Sequence, residues 1–309
     1  MKKIVISEFM DEAAVASLRT AFEVVYDPKL VDDGARLATA AADADALIVR
    51  NRTQVRGDLL AALGRARVIG RLGVGLDNID VAACEARGMR VIPATGANAR
   101  AVAEYVVATA MLLLRGVYSS TEAVAAGKWP RAELSNGREI FGTRLGVLGF
   151  GGIGRLTAGL AQGLGMSVLA HDPMIDAGDK VWAQARVRCA SLEQLLEEAD
   201  VISLHVPLTP ATAHLLSADR IARMKRGAVL INTSRGGIAD ESAVAAALRV
   251  GRLGGAAFDV FEPEPLTAGN VWQGCPRVIL TPHVAGVTAQ SNVRVSTMIA
   301  AAVAQVLKD

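Results

Sequence analysis

Short apolar runs alternate along the chain with longer segments in which apolar residues recur at helical spacing. The runs are short and rich in Val, Ile and Leu, so each of them predicts a β-strand. The strands predicted in the N-terminal part are Lys3–Ser7, Phe22–Tyr26, Ala46–Arg50, Val68–Gly70 and Arg90–Ile92. The helices predicted between them are Asp11–Thr20, Val31–Ala41, Arg56–Leu63 and Ile79–Arg87. This alternation favours a parallel sheet with helices on its faces.

The same alternation returns in the second half of the chain, after the segment Ala101–Leu114. That segment is helical and apolar on most faces, so we expect it to be buried between domains or in a subunit contact. The strands predicted beyond it are one from Leu145, one ending at Asp172, and Val201–Leu204, Ala228–Asn232, Gly255–Val260 and Val278–Thr281. The predicted helices are Ser191–Glu198, Asp219–Met224, Asp240–Leu248 and Thr288–Leu307. A length of 309 residues fits two such domains.

The stretch from Leu145 to Asp172 gives the strongest local signal. A strand leads into Gly149-Phe-Gly151-Gly-Ile-Gly154, a helix of small residues follows, and the next strand ends in an acid. Gly149 allows a tight turn, Gly151 lets the backbone approach a pyrophosphate, and Gly154 lets the helix pack closely on the strand. Asp172 lies where a carboxylate would bind the adenosine ribose and repel a 2′-phosphate. The stretch therefore predicts a dinucleotide site that favours NAD over NADP, with a ligand-free glycine-rich turn as the alternative.

Four polar residues of the second half supply groups for carbonyl and alcohol redox chemistry. They are Arg235, Asp259, Glu264 and His283, each near the end of a predicted strand. Arginine binds a carboxylate with two parallel hydrogen bonds, and histidine is the usual proton donor near neutral pH. A carboxylate beside the histidine would fix its ring and favour its protonated form. The set fits reduction of a 2-oxo acid beside a nicotinamide, with Glu262 as a rival to Glu264.

Strand ends in the first half are also polar, and ligands of open α/β sheets bind at such ends. Arg50-Asn51-Arg52 follows one strand, and two arginines would suit a substrate with a second anionic group. The alternative is a surface ion pair or a contact with the other domain. Gly73-Val74-Gly75 follows the next strand and is predicted to form a tight turn whose backbone approaches a small ligand.

Composition narrows the class of protein. A net charge of +2 gives no reason to expect a nucleic-acid or membrane partner. The longest apolar run is shorter than the roughly 20 residues of a membrane span, and no signal peptide is visible at the N-terminus. Three distant cysteines fit a reduced cytoplasmic setting. The histidine and cysteine spacings match no metal motif, so no metal is expected.

The chain resembles the D-isomer-specific 2-hydroxyacid dehydrogenase family through motifs that span nearly its whole length. The matching segments are Gly73-Val-Gly-Leu-Asp-Asn78, Gly149-Phe-Gly-Gly-Ile-Gly154, Asn232-Thr-Ser-Arg-Gly-Gly-Ile-Ala-Asp240, Asp259-Val-Phe-Glu-Pro-Glu264-Pro and Thr281-Pro-His283-Val-Ala-Gly286. The resemblance implies an enzyme in which Arg235 binds the substrate carboxylate, Glu264 orients His283, and His283 is the acid and base. Motif register favours Glu264 over Glu262.

The resemblance also implies a cofactor set. The implied NAD-binding residues are Gly149, Gly151, Gly152, Ile153, Gly154, Asp172, Val206, Pro207, Thr233, Ser234, Asp259 and Gly286. Within this set the backbone of Gly152 and Ile153 would bind the pyrophosphate, and Asp259 would bind the carboxamide. Arg50, Asn51, Arg52, Val74 and Gly75 are the expected substrate contacts.

The family's architecture is an α/β fold of two domains, each a parallel sheet flanked by helices. A Rossmann nucleotide domain at 99–285 would be inserted into a flavodoxin-like substrate domain made of residues 1–98 and 286–309. The reaction would take place in the cleft between them, and a homodimer is expected.

Several substrates remain open at this stage. The segment from Arg50 resembles that of 3-phosphoglycerate dehydrogenases, which favours 3-phosphoglycerate or sulfolactate; a glyoxylate or hydroxypyruvate reductase is the alternative. A chain ending at Asp309 is expected to lack the C-terminal regulatory domain of many phosphoglycerate dehydrogenases. Glu264, where the formate-oxidising branch has glutamine, favours a 2-hydroxy acid. An NAD-sensing binding protein, like the family's transcriptional co-repressors, is the alternative of another class.

Overall fold

The computed structural model describes residues 1–309 and divides them into two compact units. The first unit combines Met1–Asn98 with Val287–Asp309, and the second is Ala99–Gly286. The C-terminal junction therefore lies one residue beyond the position expected from the sequence. Each unit is built on its own parallel sheet. The predicted fold class, a two-domain α/β protein, is confirmed.

The first unit contains a five-stranded sheet in the order β2-β1-β3-β4-β5. This is the flavodoxin-type strand order. Its strands are β1 (Lys3–Ile6), β2 (Glu23–Tyr26), β3 (Ala46–Val49), β4 (Val68–Arg71) and β5 (Arg90–Pro93). Its helices are α1 (Glu12–Arg19), α2 (Gly34–Ala41), α3 (Gly57–Ala62), α4 (Val81–Ala86) and the C-terminal α12 (Ala289–Lys308), with a 3₁₀ turn at Leu30–Asp32.

The C-terminal helix α12 completes the core of the first unit. Gly70 of β4 leaves room for it, because a Cβ there would lie 2.7 Å from a methyl of Ile299 and 2.8 Å from one of Val303. Both of these side chains are fully buried. The last residues of the chain therefore fold with the first ones.

The second unit contains a seven-stranded sheet in the order β12-β11-β10-β9-β6-β7-β8. Counted from β6, this is the Rossmann order with one added edge strand. Its strands are β6 (Arg144–Leu148), β7 (Ser167–His171), β8 (Arg188–Cys189), β9 (Val201–Leu204), β10 (Val229–Asn232), β11 (Gly255–Phe258) and β12 (Val278–Leu280). Its helices are α5 (Ala99–Arg115), α6 (Thr121–Ala125), α7 (Gly152–Gly163), α8 (Lys180–Ala185), α9 (Leu192–Glu198), α10 (Ala218–Arg223) and α11 (Glu241–Arg249), with a 3₁₀ turn at Tyr118–Ser120.

Capping side chains decide where several helices begin. The segment predicted as one helix from Val31 is a 3₁₀ turn followed by α2, because the Asp33 carboxylate accepts a hydrogen bond from Arg36 N and starts the helix there. Asp80 likewise starts α4 two residues later than predicted, through Ala83 N. The sequence-based boundaries were wrong at these places because they followed the apolar pattern alone.

No single helix has the length and apolar composition of a membrane span; the bent pair Ala99–Arg115 and Tyr118–Ala125, at 70°, meets those two criteria together.

Candidate active site

The glycine loop between β6 and α7 is shaped by close backbone contacts. Gly149 has φ +93°, and a Cβ there would lie 2.5 Å from the carbonyl oxygen of His205. A Cβ on Gly154 would lie 2.2 Å from the carbonyl oxygen of Gly149. Between them Phe150 is fully buried and stacks on Trp182, with ring centroids 4.9 Å apart. Only glycine fits at the two ends of this loop, and Phe150 anchors its middle.

The outer side of the same loop has room for a ligand. A Cβ added at Gly151 or Gly152 would meet no atom within 4 Å. Gly151 is the N-cap of α7 and provides no side-chain cap, so the first N–H groups of α7, including that of Ile153, are not bound by a capping side chain. Open space beside a helix N-terminus suits a pyrophosphate. These residues fit the predicted NAD site.

Asp172 follows β7 and lies beside the loop. Its Oδ2 accepts a hydrogen bond from Phe150 N at 2.8 Å, and its Oδ1 accepts one from Met174 N at 3.0 Å. The carboxylate is thus oriented by the glycine loop itself. A carboxylate in this position disfavours a cofactor with a 2′-phosphate. Preference for NAD over NADP remains a prediction, which the ratio of kcat/KM with NADH and NADPH would test.

The turn after β10 presents Thr233, Ser234 and Arg235. Buried Asn232 organises it: its Nδ2 donates to the carbonyl of Arg235 at 2.8 Å, and its Oδ1 accepts from Ser234 N at 3.0 Å. Ser234 Oγ donates to the carbonyl of Leu204 on the neighbouring strand. Thr233 Oγ1 is buried and has no hydrogen-bond partner. A buried hydroxyl without a partner is costly unless a ligand satisfies it, which suits a cofactor contact at Thr233.

The predicted acid–base pair is present in the second unit. His283 Nδ1 lies 2.8 Å from Glu264 Oε2, while Glu264 Oε1 accepts a hydrogen bond from Phe261 N at 3.0 Å. Glu264, and not Glu262, is the carboxylate that contacts the histidine. With Nδ1 bound to Glu264, Nε2 is the ring atom that can give or take a substrate proton.

Charges around Glu264 keep it ionised. Burial acts to raise its pKa, but the hydrogen bond and charge of His283 outweigh burial, with further help from Phe261 N–H and the charge of Arg235. The net result is a pKa below the ordinary value of 4.5. The three predicted catalytic residues are therefore electrostatically coupled, because Arg235 and His283 both act on Glu264.

Asp259 holds the loop that carries His283. Its Oδ1 accepts from Thr281 Oγ1 at 2.6 Å and Val284 N at 2.8 Å, and its Oδ2 accepts from Ala285 N at 2.8 Å. The side chain is 2% exposed. Both oxygens of Asp259 are thus engaged within the loop, and the contact with a carboxamide remains a prediction.

His283 itself has a φ of +56°, an uncommon value for a residue with a Cβ. Its N–H donates to the carbonyl of Asp259 at 2.8 Å, which ties this backbone geometry to β11. Tyr105 Oη and Thr281 Oγ1 lie 2.7 Å apart and extend the network to α5. Sequence patterns identified His283 but not Tyr105, whose apolar neighbours gave no signal of a polar contact.

The other predicted cofactor residues lie at strand ends of the same sheet. Val206 and Pro207 follow β9, where Val206 packs against the core and Pro207 is exposed. Gly286 ends the second unit after the His283 loop. These positions are compatible with the predicted roles, which remain predictions.

The two candidate substrate arginines of the first unit have different environments. Arg50 is half-buried; its Nη2 donates to Asn292 Oδ1 of α12 at 2.9 Å, and its guanidinium lies over the Phe9 ring at 5.8 Å. Burial lowers the pKa of Arg50, and the negative charge of Glu8 opposes this shift. Arg52 is exposed and forms a surface ion pair with Asp32, as one alternative from the sequence had it. Arg50 is therefore the stronger candidate.

Two further predicted substrate contacts and one unpredicted arginine follow β4. Val74 is exposed and Gly75 is half-buried in the turn after the strand. Arg71 ends β4 opposite Val49 in the sheet register, so it lies at the strand end next to Arg50. Sequence reasoning missed Arg71 because it treated the strand as ending at Gly70; reading one residue further would have found it.

Comparison of the sequence with known protein families identifies the class of enzyme. The family model for the NAD binding domain of D-isomer specific 2-hydroxyacid dehydrogenases matches residues 107–285. The chain belongs to this family. It is an NAD-dependent 2-hydroxyacid dehydrogenase, as the sequence predicted.

Individual relatives cover nearly the whole chain. The (S)-sulfolactate dehydrogenase of Chromohalobacter salexigens is 55% identical over 296 residues, covering 96% of this chain and 95% of the relative. The D-3-phosphoglycerate dehydrogenase of Synechocystis is 37% identical over 309 residues; this dehydrogenase chain spans 54% of that relative's length. A crystal structure from Thermus thermophilus has a TM-score of 0.90 and 32% identity, covering 99% of this chain and 97% of the other.

Proposed function

We propose that this dehydrogenase acts on a 2-hydroxy acid with a second anionic group, of the sulfolactate type. The observation that carries the proposal is the 55% identity to an (S)-sulfolactate dehydrogenase over 95% of that protein. The half-buried Arg50 supports it, because a guanidinium at a strand end can form paired hydrogen bonds to a sulfonate or phosphate. The substrate pair would be sulfolactate and sulfopyruvate.

The stereochemistry of such a substrate agrees with a D-isomer specific family. In lactate the carboxylate outranks the methyl group, whereas in sulfolactate the sulfur-bearing methylene outranks the carboxylate. The descriptor therefore changes although the arrangement in space does not, so (S)-sulfolactate has the geometry of D-lactate. The family description and the relative's name therefore refer to the same configuration at the carbon that bears the hydroxyl group.

The residues of the second unit divide the chemistry among themselves. Arg235 would bind the carboxylate next to the reacting carbon. As the alcohol is oxidised, His283 Nε2 would take the hydroxyl proton, and Glu264 would stabilise the resulting imidazolium through Nδ1. NAD, when bound, supplies the hydride acceptor at the nicotinamide. In the reductive direction the same histidine would return the proton to the carbonyl oxygen.

A substrate panel tests this proposal. Steady-state kcat/KM is measured with sulfolactate, 3-phosphoglycerate, D-glycerate and D-lactate for the wild type and for Arg50→Met. We expect sulfolactate to exceed D-lactate by at least about a hundredfold, since each charge-assisted bond contributes about 1.5–3 kcal/mol. Arg50→Met should remove most of that difference. Equal values for charged and uncharged tails would exclude the proposal, and a maximum with 3-phosphoglycerate or D-glycerate would favour the alternative substrates.

We further propose that the enzyme is a homodimer formed through the second unit. Its α5 and the segment after it expose large apolar side chains to solvent, which are Met111, Leu112, Tyr118, Trp129 and Phe141. Exposed apolar side chains of this size, where they cluster, mark protein–protein interaction sites. Light scattering after gel filtration should give twice the mass of 32.2 kDa. A monomer at micromolar concentration would exclude this assembly.

We also propose that the enzyme works in the cytoplasm. Its three cysteines form no disulfide, as expected where thiols are kept reduced. Fractionation of the source cells with an antibody to the chain would test this location, and recovery outside the cytoplasmic fraction would contradict it.

A further inference from the structure

A buried carboxylate lies beneath the loop at residues 50–53 in the first unit. Glu8 follows β1 and is 5% exposed. Its Oε1 accepts hydrogen bonds from Arg50 N at 2.8 Å and Thr53 N at 3.0 Å. Its Oε2 accepts from Arg52 N at 3.1 Å and Asn51 N at 3.3 Å. One side chain thus binds four consecutive backbone amides.

A second buried side chain donates hydrogen bonds to carbonyl groups of the same loop. Asn78 is 6% exposed, and its Nδ2 donates to the carbonyls of Thr53 at 2.7 Å and Arg50 at 3.3 Å. Buried Ser7 and Thr53 share a hydrogen bond of 2.9 Å between their hydroxyls. The loop is consequently fixed at both of its ends by buried polar groups.

Burial of an ionised carboxylate costs free energy unless hydrogen bonds replace water, and here four N–H groups do so. Charge-assisted bonds of this kind are stronger than bonds between neutral groups. The arrangement therefore restricts the backbone at the point where the Arg50 side chain leaves it. Asn292 and the Phe9 ring then hold the guanidinium at the far end of that side chain.

We propose that Glu8 is a positioning residue for substrate specificity. It fixes the loop at 50–53, and through that loop it places Arg50 where the second anionic group of the substrate binds. Glu8 does not contact the substrate. This inference rests on the proposed function, because it assumes that the arginine recognises a sulfonate-type tail.

Two other roles for Glu8 predict different results. If Glu8 only weakened the positive potential at Arg50, then Glu8→Gln would tighten anion binding and lower KM for sulfolactate. If Glu8 only stabilised the fold, a smaller fraction of the Glu8→Gln protein would be folded and active, so the rates with all substrates would fall by the same factor. A positioning role instead raises KM for the charged substrate alone, because Gln offers one acceptor oxygen in place of two and turns an NH₂ group toward the loop amides.

The test compares Glu8→Gln with Glu12→Gln, a matched change at an exposed glutamate of α1. We expect Glu8→Gln to raise KM for sulfolactate about tenfold, with KM for D-lactate and both kcat values changed less than twofold; tenfold corresponds to about 1.4 kcal/mol. Glu12→Gln should match the wild type. A lower KM for sulfolactate, or equal changes with both substrates, would overturn the proposal.

Arg50→Met separates this proposal from the function on which it rests. If the wild type does not prefer sulfolactate to D-lactate, the proposed function fails. If the preference exists and is lost in Arg50→Met but kept in Glu8→Gln, only the role of Glu8 fails.

Amide hydrogen exchange of the wild type tests the clamp even if Glu8→Gln does not fold. The amides of Arg50 and Thr53, which have the shorter bonds to Glu8, should exchange at least a hundredfold slower than those of an unstructured peptide. Exchange at unprotected rates in this loop would overturn the proposal without any variant.

Discussion

At the scale of single residues, the geometry of His283 and Glu264 fits the acid–base role that we propose for them. The 2.8 Å contact between Nδ1 and Oε2 leaves Nε2 as the ring nitrogen that would exchange a proton with the substrate. The lowered pKa of Glu264 keeps the carboxylate charged at neutral pH, so its charge is present when the imidazolium forms. The motif register selected this glutamate over Glu262, and the geometry agrees with that choice.

Replacement of this carboxylate by an amide tests its charge. Glu264→Gln keeps an acceptor for Nδ1 but removes the negative charge, so the imidazolium of His283 becomes less stable. We expect the reductive kcat/KM to fall about a hundredfold at neutral pH, at the lower end of the range for general acid catalysis. Glu262→Gln is the matched control, and an unchanged kcat/KM for Glu264→Gln would contradict the proposed role.

The buried His205 is expected to make the stability of the fold depend on pH in the acid range. Burial lowers its pKa from 6.5 to about 4. In the unfolded chain this histidine binds a proton near pH 6.5, whereas in the folded chain it does so only near pH 4. The neutral histidine therefore makes no demand on stability above pH 6.5, and the free energy of unfolding decreases as the pH falls from 6.5 to 4. Between pH 7 and pH 4.5, the free energy of unfolding measured in urea should decrease by about 2 kcal/mol less for His205→Gln than for the wild type. Equal losses would contradict the role of burial.

At the scale of elements, the loops after parallel strands are held by single buried side chains. Asn232 organises the turn that presents Arg235, Asp259 organises the loop that presents His283, and Glu8 organises the loop that presents Arg50. Each anchor lies close to a strand end and is buried. In each of these loops, one buried residue thus connects the sheet to a candidate functional side chain.

Asp259→Asn tests one of these anchors. The amide would turn an NH₂ group toward either Ala285 N–H or the donors at Oδ1, so one or more buried N–H groups would lose their acceptor. We expect the free energy of unfolding to fall by about 1–3 kcal/mol. In the enzyme that still folds, kcat should fall more than tenfold, because His283 would no longer be fixed. A variant with normal kcat would show that the loop does not depend on this carboxylate.

Element prediction succeeded where the apolar pattern was strong and failed where polar side chains set the boundary. The glycine loop, the strand ends and the long C-terminal helix could be predicted from local sequence. The start of α2 at Asp33, the short α8 and the two-residue β8 could not, because they depend on caps and on packing such as that of Trp182 on Phe150. The roles of Glu8 and Asn78 were also missed, since they depend on contacts between residues far apart in sequence.

At the scale of the whole molecule, the order of the strands explains why the candidate catalytic and cofactor residues gather on the second sheet. The order reverses next to β6, so the glycine loop lies at a switch point of the sheet. Three strands on one side of it, β10, β11 and β12, are followed directly by Thr233, Asp259 and Thr281. Sequence alone predicted this layout because the motifs follow the strands in order. It left the substrate open, because the motifs of the second unit do not determine which tail the acid carries.

The most direct measurement of the central claim is the initial rate of NADH formation from (S)-sulfolactate, (R)-sulfolactate and D-lactate under identical conditions. If the enzyme is specific for the D-isomer and binds the second anionic group at Arg50, we expect rapid reaction with (S)-sulfolactate and no reaction with its enantiomer. The kcat/KM with D-lactate should be at least about a hundredfold lower than with (S)-sulfolactate. Equal rates with both enantiomers, or a D-lactate value matching that of (S)-sulfolactate, would contradict the account.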